Sequence, residues 1–321
     1  MPRPAPTADR LDDAARAGWL YYVAGRTQDE IAKAMGISRQ AAQRLVSLAV
    51  SARLVRVTVE HPIARCLDLA GALRERFGLR LAEVVPTDPG ADADDGGGAV
   101  GLGEAGAAEI AKWLRRAEPI VLAIGTGRTL KAAVDHLPRI SCPQHRVVSL
   151  TGSVGPDGSA AYYNVIFSMA EKVEARHFPM PLPVYLSSAE ERALMHGQPM
   201  IAATLALAAS ADVVFVGTGE MDDTAPLFLA GFISRAELSD LRAAGAVGEI
   251  CGWVFDAEGR LVGGERSQRT ASAPIPPRER AVVVAIAKGR RKLPALRAAL
   301  VGGLANGVIT DEATAEALLA G

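Results

Sequence analysis

The stretch VLAIGTGRTLKAAV, residues 121–134, runs four apolar residues into a glycine corner and then into a helical pattern. A short apolar run closed by glycine reads as a strand buried on both faces, and such strands belong to parallel sheets covered by helices. The corner GTGRT, residues 125–129, opens the helix, so its backbone amides, the Thr126 and Thr129 hydroxyls and the helix dipole suit an anion such as a phosphate. This arrangement predicts a doubly wound α/β domain that binds its ligand at the carboxyl ends of the strands.

The same alternation extends in both directions. Strands are expected at 82–86, 119–125, 146–152, 183–186, 211–219, 249–262, 282–287 and 307–310, with helices mainly between them and mixed additions near the end. Three further corners carry suitable chemistry. TGSVG, residues 151–155, follows RVVSL; GTGEMDD, residues 217–223, adds carboxylate acceptors; AKGRRK, residues 287–292, adds cations. One glycine corner is as often a packing device as a binding site, but four at strand ends point to a shared pocket. The histidines 136, 145, 177 and 196 sit singly and read as surface or satisfied core residues.

At 321 residues the chain exceeds the usual single core, so two domains are expected. Aromatic residues are only 5% of a sequence that is 49% hydrophobic, so Ala, Val, Leu and Ile must build the core. Cys66, Cys142 and Cys251 lie far apart with no ligand-spaced neighbours, which argues against a disulfide framework and a zinc site and fits a reducing cytoplasm. No metal or cofactor is expected. No apolar run reaches the roughly 20 residues of a membrane span, and the first residues lack the pattern of a secretory signal. The net charge is −1, yet residues 1–60 hold nine Lys or Arg against six acids, leaving −4 for the remainder. A mildly basic head on an acidic body suits a head that alone meets a polyanion.

The head reads as a helix-turn-helix. Helical periodicity from Leu11 to Val23 breaks at Gly25; Thr27 and Glu30 then form a capping box ahead of a second helix, whose inner face is Ile31, Ala32 and Met35. Gly36 makes the turn, Ile37 plugs it, and Ser38 caps a third helix with an inner stripe of Ala42, Leu45, Val46 and Ala49. In this motif the third helix enters the major groove, so Arg39, Gln40, Gln43 and Arg44 face base edges, with Thr27 and Ser38 at the helix starts beside the phosphates. Residues 53–61 alternate as a short wing hairpin would. The organisation expected is a helix-turn-helix domain at 1–60, a linker helix at 61–79 able to pair with a second subunit, and an effector domain at 80–321.

Together, GRTQDEIAKAMGISRQAAQRLVSLAV in the head and GTGRT, SLTGSVGPDGSA, ADVVFVGTGEM, AVGEICGWVFDAEG and VAIAKGRRKLPALRAAL in the body resemble the SorC family of sugar-responsive bacterial transcriptional regulators over nearly the whole chain. The resemblance implies a winged helix-turn-helix joined to a Rossmann-like effector domain related to sugar-phosphate isomerases, acting on operator DNA as a homo-oligomer, dimer or tetramer. By motif, Gly125, Thr126, Gly127, Arg128 and Thr129 would line the phosphate end of the pocket with Lys292 in support; Thr151, Gly152 and Ser153 would flank the sugar; Gly219, Asp222 and Glu249 would approach its hydroxyls. Members often carry two glycines before the basic residues of the last loop, where this chain has Lys288 and Gly289. The wording at 143–150 and 177–195 is similar to members from sugar-alcohol operons, which implies a polyol or its phosphate as effector, with repression relieved by ligand.

Two enzymatic alternatives are weaker. A sugar-phosphate isomerase would use Asp222 or Asp223 as general base, but GEMDDTAPLF lacks the histidine that amino-sugar isomerases place in that turn. A dinucleotide-dependent dehydrogenase needs a third glycine that GTGRTL does not have.

Overall fold

The computed structural model describes residues 8–52, 54–55, 63–87, 101–160 and 163–321, and the chain divides into two compact units, residues 1–62 and 63–321. The expected wing, residues 53–61, lies almost wholly outside the described residues.

In the first unit, α1 (Ala8–Tyr22), α2 (Gln28–Met35) and α3 (Arg39–Ser51) close on a core of Ala17, Ile31, Ala32, Ala42 and Val46, with Leu20, Met35, Ile37 and Leu45 at its margin. The boundaries follow local chemistry. Thr27 and Glu30 cap each other's backbone amides ahead of α2, Gly36 ends it at φ 66°, where a side chain would be strained, and the Ser38 hydroxyl accepts from Ala41 N at 3.2 Å to start α3.

The second unit holds a seven-stranded sheet in the order β1-β10-β9-β5-β2-β3-β4, every pairing parallel. Its strands are β1 (Leu81–Val85), β2 (Val121–Ile124), β3 (Ile140–Val154), β4 (Val173–Pro183), β5 (Val213–Val216), β9 (Val282–Ile286) and β10 (Gly307–Asp311). A small antiparallel sheet, β6 (Gly219–Glu220), β7 (Gly248–Ile250) and β8 (Trp253–Phe255), is inserted after β5. Helices α4 (Ala64–Phe77), α9 (Pro199–Ala209), α13 (Leu293–Val301) and α14 (Glu312–Ala320) contribute to one apolar layer; α5 (Leu102–Leu114), α6 (Arg128–His136) and α7 (Val165–Ala170) contribute to the other. The described residues of this unit also form α8 (Ala189–His196), α10 (Pro226–Leu229), α11 (Arg235–Ala243), α12 (Glu265–Arg269) and the helical turn Arg290–Lys292.

Three expectations are revised. The segment expected as a linker, 61–79, contains α4, whose buried Cys66, Leu69, Ala70 and Leu73 join the core of the second unit, packed on β1 and α14. It is the first helix of that unit because an apolar stripe beside a sheet is buried there. A strand expected at 183–186 is instead β4, ending at Pro183. Pro179, Pro181 and Pro183 lie within or at the end of β4, which is the sheet's edge, where missing amide donors are tolerated. Finally, TGSVG is no strand-to-helix corner: β3 runs through it to Val154 and turns back, with an antiparallel bridge from Val154 to Ala160.

Candidate functional site

Because all seven strands of the large sheet are parallel, their carboxyl ends lie along one edge. The chain travels outward from β2 through β3 to β4, then returns to β5 on the other side of β2 and proceeds through β9 to β10. Loops leaving β2 and β5 therefore diverge, which opens a crevice between them. Gly125 and Gly217 stand at its two lips: Gly125 N donates to Phe215 O at 2.8 Å, and Gly217 faces the Thr126 carbonyl.

The corner after β2 leads directly into α6, whose first intrahelical bond is Lys131 N to Gly127 O at 2.9 Å. The amides of Arg128, Thr129 and Leu130 precede that bond and are the donors expected for an anion. The Thr126 hydroxyl donates to Tyr163 O at 2.6 Å, which turns it toward α7, while Arg128 is exposed.

Across the crevice, β6 pairs Gly219 with Glu249 on β7. A Cβ at Gly219 would fall 2.1 Å from Glu249 Oε1, so only glycine lets the Glu249 carboxylate lie over this strand. Gly252 N donates to Glu249 Oε2 at 2.7 Å. Burial pushes the Glu249 carboxyl above its ordinary range, opposed by that amide and by Lys292; burial likewise pulls the Lys292 ammonium down, opposed chiefly by Glu220 and then by Glu249, while Arg128 adds to the depression. Two carboxylates and two cations from four segments thus share one electrostatic environment. Cys251, at φ 52°, places its sulfur 3.0 Å from where a Gly125 Cβ would stand and takes the Thr126 amide; burial raises its thiol pKa and keeps it protonated.

Of the residues expected at the site, Gly125, Thr126, Gly127, Arg128 and Thr129 form the corner after β2 and the start of α6, while Gly219, Glu249 and Lys292 belong to β6, β7 and the turn Arg290–Lys292. The other four are placed differently. Thr151 is buried in β3 and accepts from Ser272 Oγ at 3.0 Å. Gly152 is where β3 crosses closest to β4, with a hypothetical Cβ 1.6 Å from Leu182 O, so it serves sheet packing. Ser153 is half-buried in the same strand. Asp222 uses Oδ1 locally, accepting from Thr224 N at 2.7 Å and Thr224 Oγ1 at 2.5 Å, which leaves Oδ2 for other partners.

Sequence reasoning missed Glu220, which is 6% exposed. The signal was present as the acid that ends GTGE, but nothing in the one-dimensional pattern says that it is buried. Also missed was a cavity of about 430 Å³ lined by Val154, Pro156, Tyr185, Phe232, Arg266 and Arg269, among others. Arg266 is buried, ion-paired with Glu237, and lies over the Tyr185 ring at 5.2 Å. Tyr185 links cavity and crevice: its hydroxyl donates at 2.6 Å to O of Gly252, the residue whose amide holds Glu249.

In the first unit, Arg39, Gln40, Gln43 and Arg44 are all exposed on α3, opposite Ala42 and Val46. Arg39 pairs with Asp29 at 3.4 Å, with both side chains about two-thirds exposed, and Arg44 Nε donates to Gln40 O at 3.3 Å. Thr27, expected beside a phosphate, has its hydroxyl engaged by Glu30 in the capping box. Ser38 uses only an acceptor lone pair for its cap, and its O–H stays available as a donor.

Comparison with known proteins gives a two-part chain. The sequence matches the Sugar-bind family, a sugar-binding domain, over residues 61–320, and the MarR family over residues 17–62. It is 36% identical over 313 residues to the erythritol catabolism regulatory protein EryD of Brucella abortus, covering 97% of this chain and 98% of that one. It is 31% identical over 318 residues to the transcriptional regulator LsrR of Klebsiella pneumoniae, covering 95% and 92%. The crystal structure of the full-length sorbitol operon regulator SorC from Klebsiella pneumoniae superimposes with a TM-score of 0.72 at 26% identity, covering 98% of this chain and all of that one. These relatives are transcriptional regulators rather than isomerases or dehydrogenases.

Proposed function

Since this chain belongs to the SorC family of sugar-binding transcriptional regulators, we propose that it represses a sugar-alcohol catabolic operon and releases it when a small polyol, or its phosphate ester, enters the crevice between β2 and β5. The convergence of Glu220, Glu249, Lys292 and the start of α6 at the point where strand order reverses supports this reading most directly. Carboxylates accept from hydroxyls, the ammonium donates to hydroxyl or phosphate oxygens, and the α6 amides offer the anion site. The likeness to a regulator of erythritol catabolism favours a short acyclic polyol.

Operator recognition falls to α3, with Arg39 and Arg44 suited to guanine edges, Gln40 and Gln43 to adenine, and Ser38 to a phosphate. A helix-turn-helix reads a two-fold operator as at least a dimer, in the cytoplasm where that DNA lies. Coupling requires that the effector bind one arrangement of the oligomer more tightly than another, typically by about 1–3 kcal/mol.

The test is calorimetric titration of the full chain with erythritol and with erythritol phosphate, followed by gel-shift assays on promoter DNA with and without the binding compound. Binding of either compound, weakened at least tenfold by Lys292→Met, with release of DNA, is expected. Binding of neither, or binding indifferent to Lys292→Met, refutes the placement of the effector site.

A further inference from the structure

Glu220 has chemistry that recognition through Glu249 and Lys292 leaves unused. It sits on β6 opposite Gly248, beside the Gly219 to Glu249 pair, and β6 packs against the helical turn Arg290–Lys292. One of its carboxylate oxygens is buried with no hydrogen-bond partner among the described residues. Thr218, two residues earlier and 2% exposed, holds a buried hydroxyl in the same condition. Buried polar groups are nearly always paired, because leaving one unmet forfeits its hydration without return. Two such groups on one short segment beside the crevice are left for a ligand: the carboxylate oxygen accepts, and the Thr218 hydroxyl can accept or donate.

The surrounding charge narrows what enters. Lys292 is surrounded by Glu220, Arg128 and Glu249, and the carboxylate of Glu220 offsets its burial more than that of Glu249 does. Two carboxylates and two cations balance. A molecule carrying only hydroxyls preserves that balance and supplies donors for the carboxylate oxygens. A phosphate dianion adds two negative charges to a half-buried cluster in which Lys292 already answers two carboxylates.

On the effector site proposed above, we infer that Glu220 is its specificity-determining residue, accepting hydrogen bonds from the hydroxyls of an uncharged polyol and excluding the phosphate ester of the same polyol. The crevice then distinguishes a catabolic substrate from the product of its first phosphorylation. The protein responds to the compound that a kinase would consume.

The same two probes test this on full-length wild type, Glu220→Gln and Glu220→Asp. Wild type is expected to bind erythritol at least tenfold more tightly than erythritol phosphate. Glu220→Gln, which keeps the shape and removes the charge, is expected to lose at least tenfold in erythritol affinity and to gain affinity for the phosphate. Glu220→Asp withdraws the carboxylate by one methylene but keeps the charge, so it is expected to weaken erythritol binding while still excluding the phosphate, and it carries the test should Glu220→Gln fail to melt cooperatively. A wild type that prefers the phosphate, or an affinity ratio unchanged in Glu220→Gln, or in Glu220→Asp where that variant carries the test, overturns the role of Glu220 and leaves the site standing. A wild type that binds neither probe overturns the site and this inference together.

Discussion

In the head, Arg39, Gln40, Gln43 and Arg44 stand exposed on one helix, with Arg39 tied to Asp29 and Arg44 to Gln40 by weak, water-screened contacts. In the body, Gly125, Glu220, Glu249 and Lys292 come from four distant segments, the first two buried and the last two half-buried, where desolvation moves the pKa of both Glu249 and Lys292. The difference concerns what each surface must recognise. DNA brings its own dense charge and displaces surface ion pairs easily, so the head needs only a rigid scaffold and free side chains. A small neutral solute brings no charge of its own, so its site must hold polar groups ready before it arrives.

That contrast can be broken by substitution. The largest effect is expected from Ile31→Ala: Ile31 is fully buried in the small head core, and truncation there removes about 3 kcal/mol, enough to unfold the head while the body still binds effector. Calorimetry should show loss of the head's unfolding transition alone; loss of the body's as well would mean that the units do not fold separately. Arg39→Ala and Arg44→Ala should each weaken operator binding by about 1–3 kcal/mol with stability changed by less than about 0.5 kcal/mol, and an unchanged gel shift would remove α3 from the interface. Lys292→Met should weaken effector binding at least tenfold, or about 1.4 kcal/mol, without altering DNA binding in the absence of effector. Thr27→Ala should lower head stability by about 1 kcal/mol through the lost cap, with DNA affinity restored at low temperature; a persistent loss there would restore Thr27 as a phosphate contact.

The smallest effect sharpens the electrostatic half of the comparison. The folded state raises the Glu249 carboxyl above its unfolded value of about 4.5, so it binds that proton more tightly than the unfolded chain does. The stability this group contributes therefore falls as pH rises through the folded value and is restored as pH drops toward the unfolded one. Glu249→Gln should melt a few degrees above wild type at neutral pH, with the gap closing on acidification. A gap that widens on acidification would reverse the sign assigned to its burial.

Legibility followed the same division. The head was readable because its signals are local: a cap three residues from its partner, a glycine after the last turn, an apolar stripe every third or fourth position. In the body the apolar strands and the corners at 125–129, 217–223 and 287–292 were equally plain. Edge position, which excused the prolines of β4, is a property of the sheet and absent from the segment itself. Thr151 and Gly152 carried the composition of a binding corner, yet a continuing strand pairing used them for packing.

From sequence alone come the helix-turn-helix, the parallel α/β sheet and the glycine corners at its strand ends, since each depends on residues within a few positions of one another. Tertiary structure alone decided that Glu220 is buried beside Lys292, that Tyr185 joins a cavity to the Glu249 loop, and that α4 belongs to the body's core. Burial and charge balance depend on which distant segments meet, and strand order, which no local pattern encodes, determines that meeting.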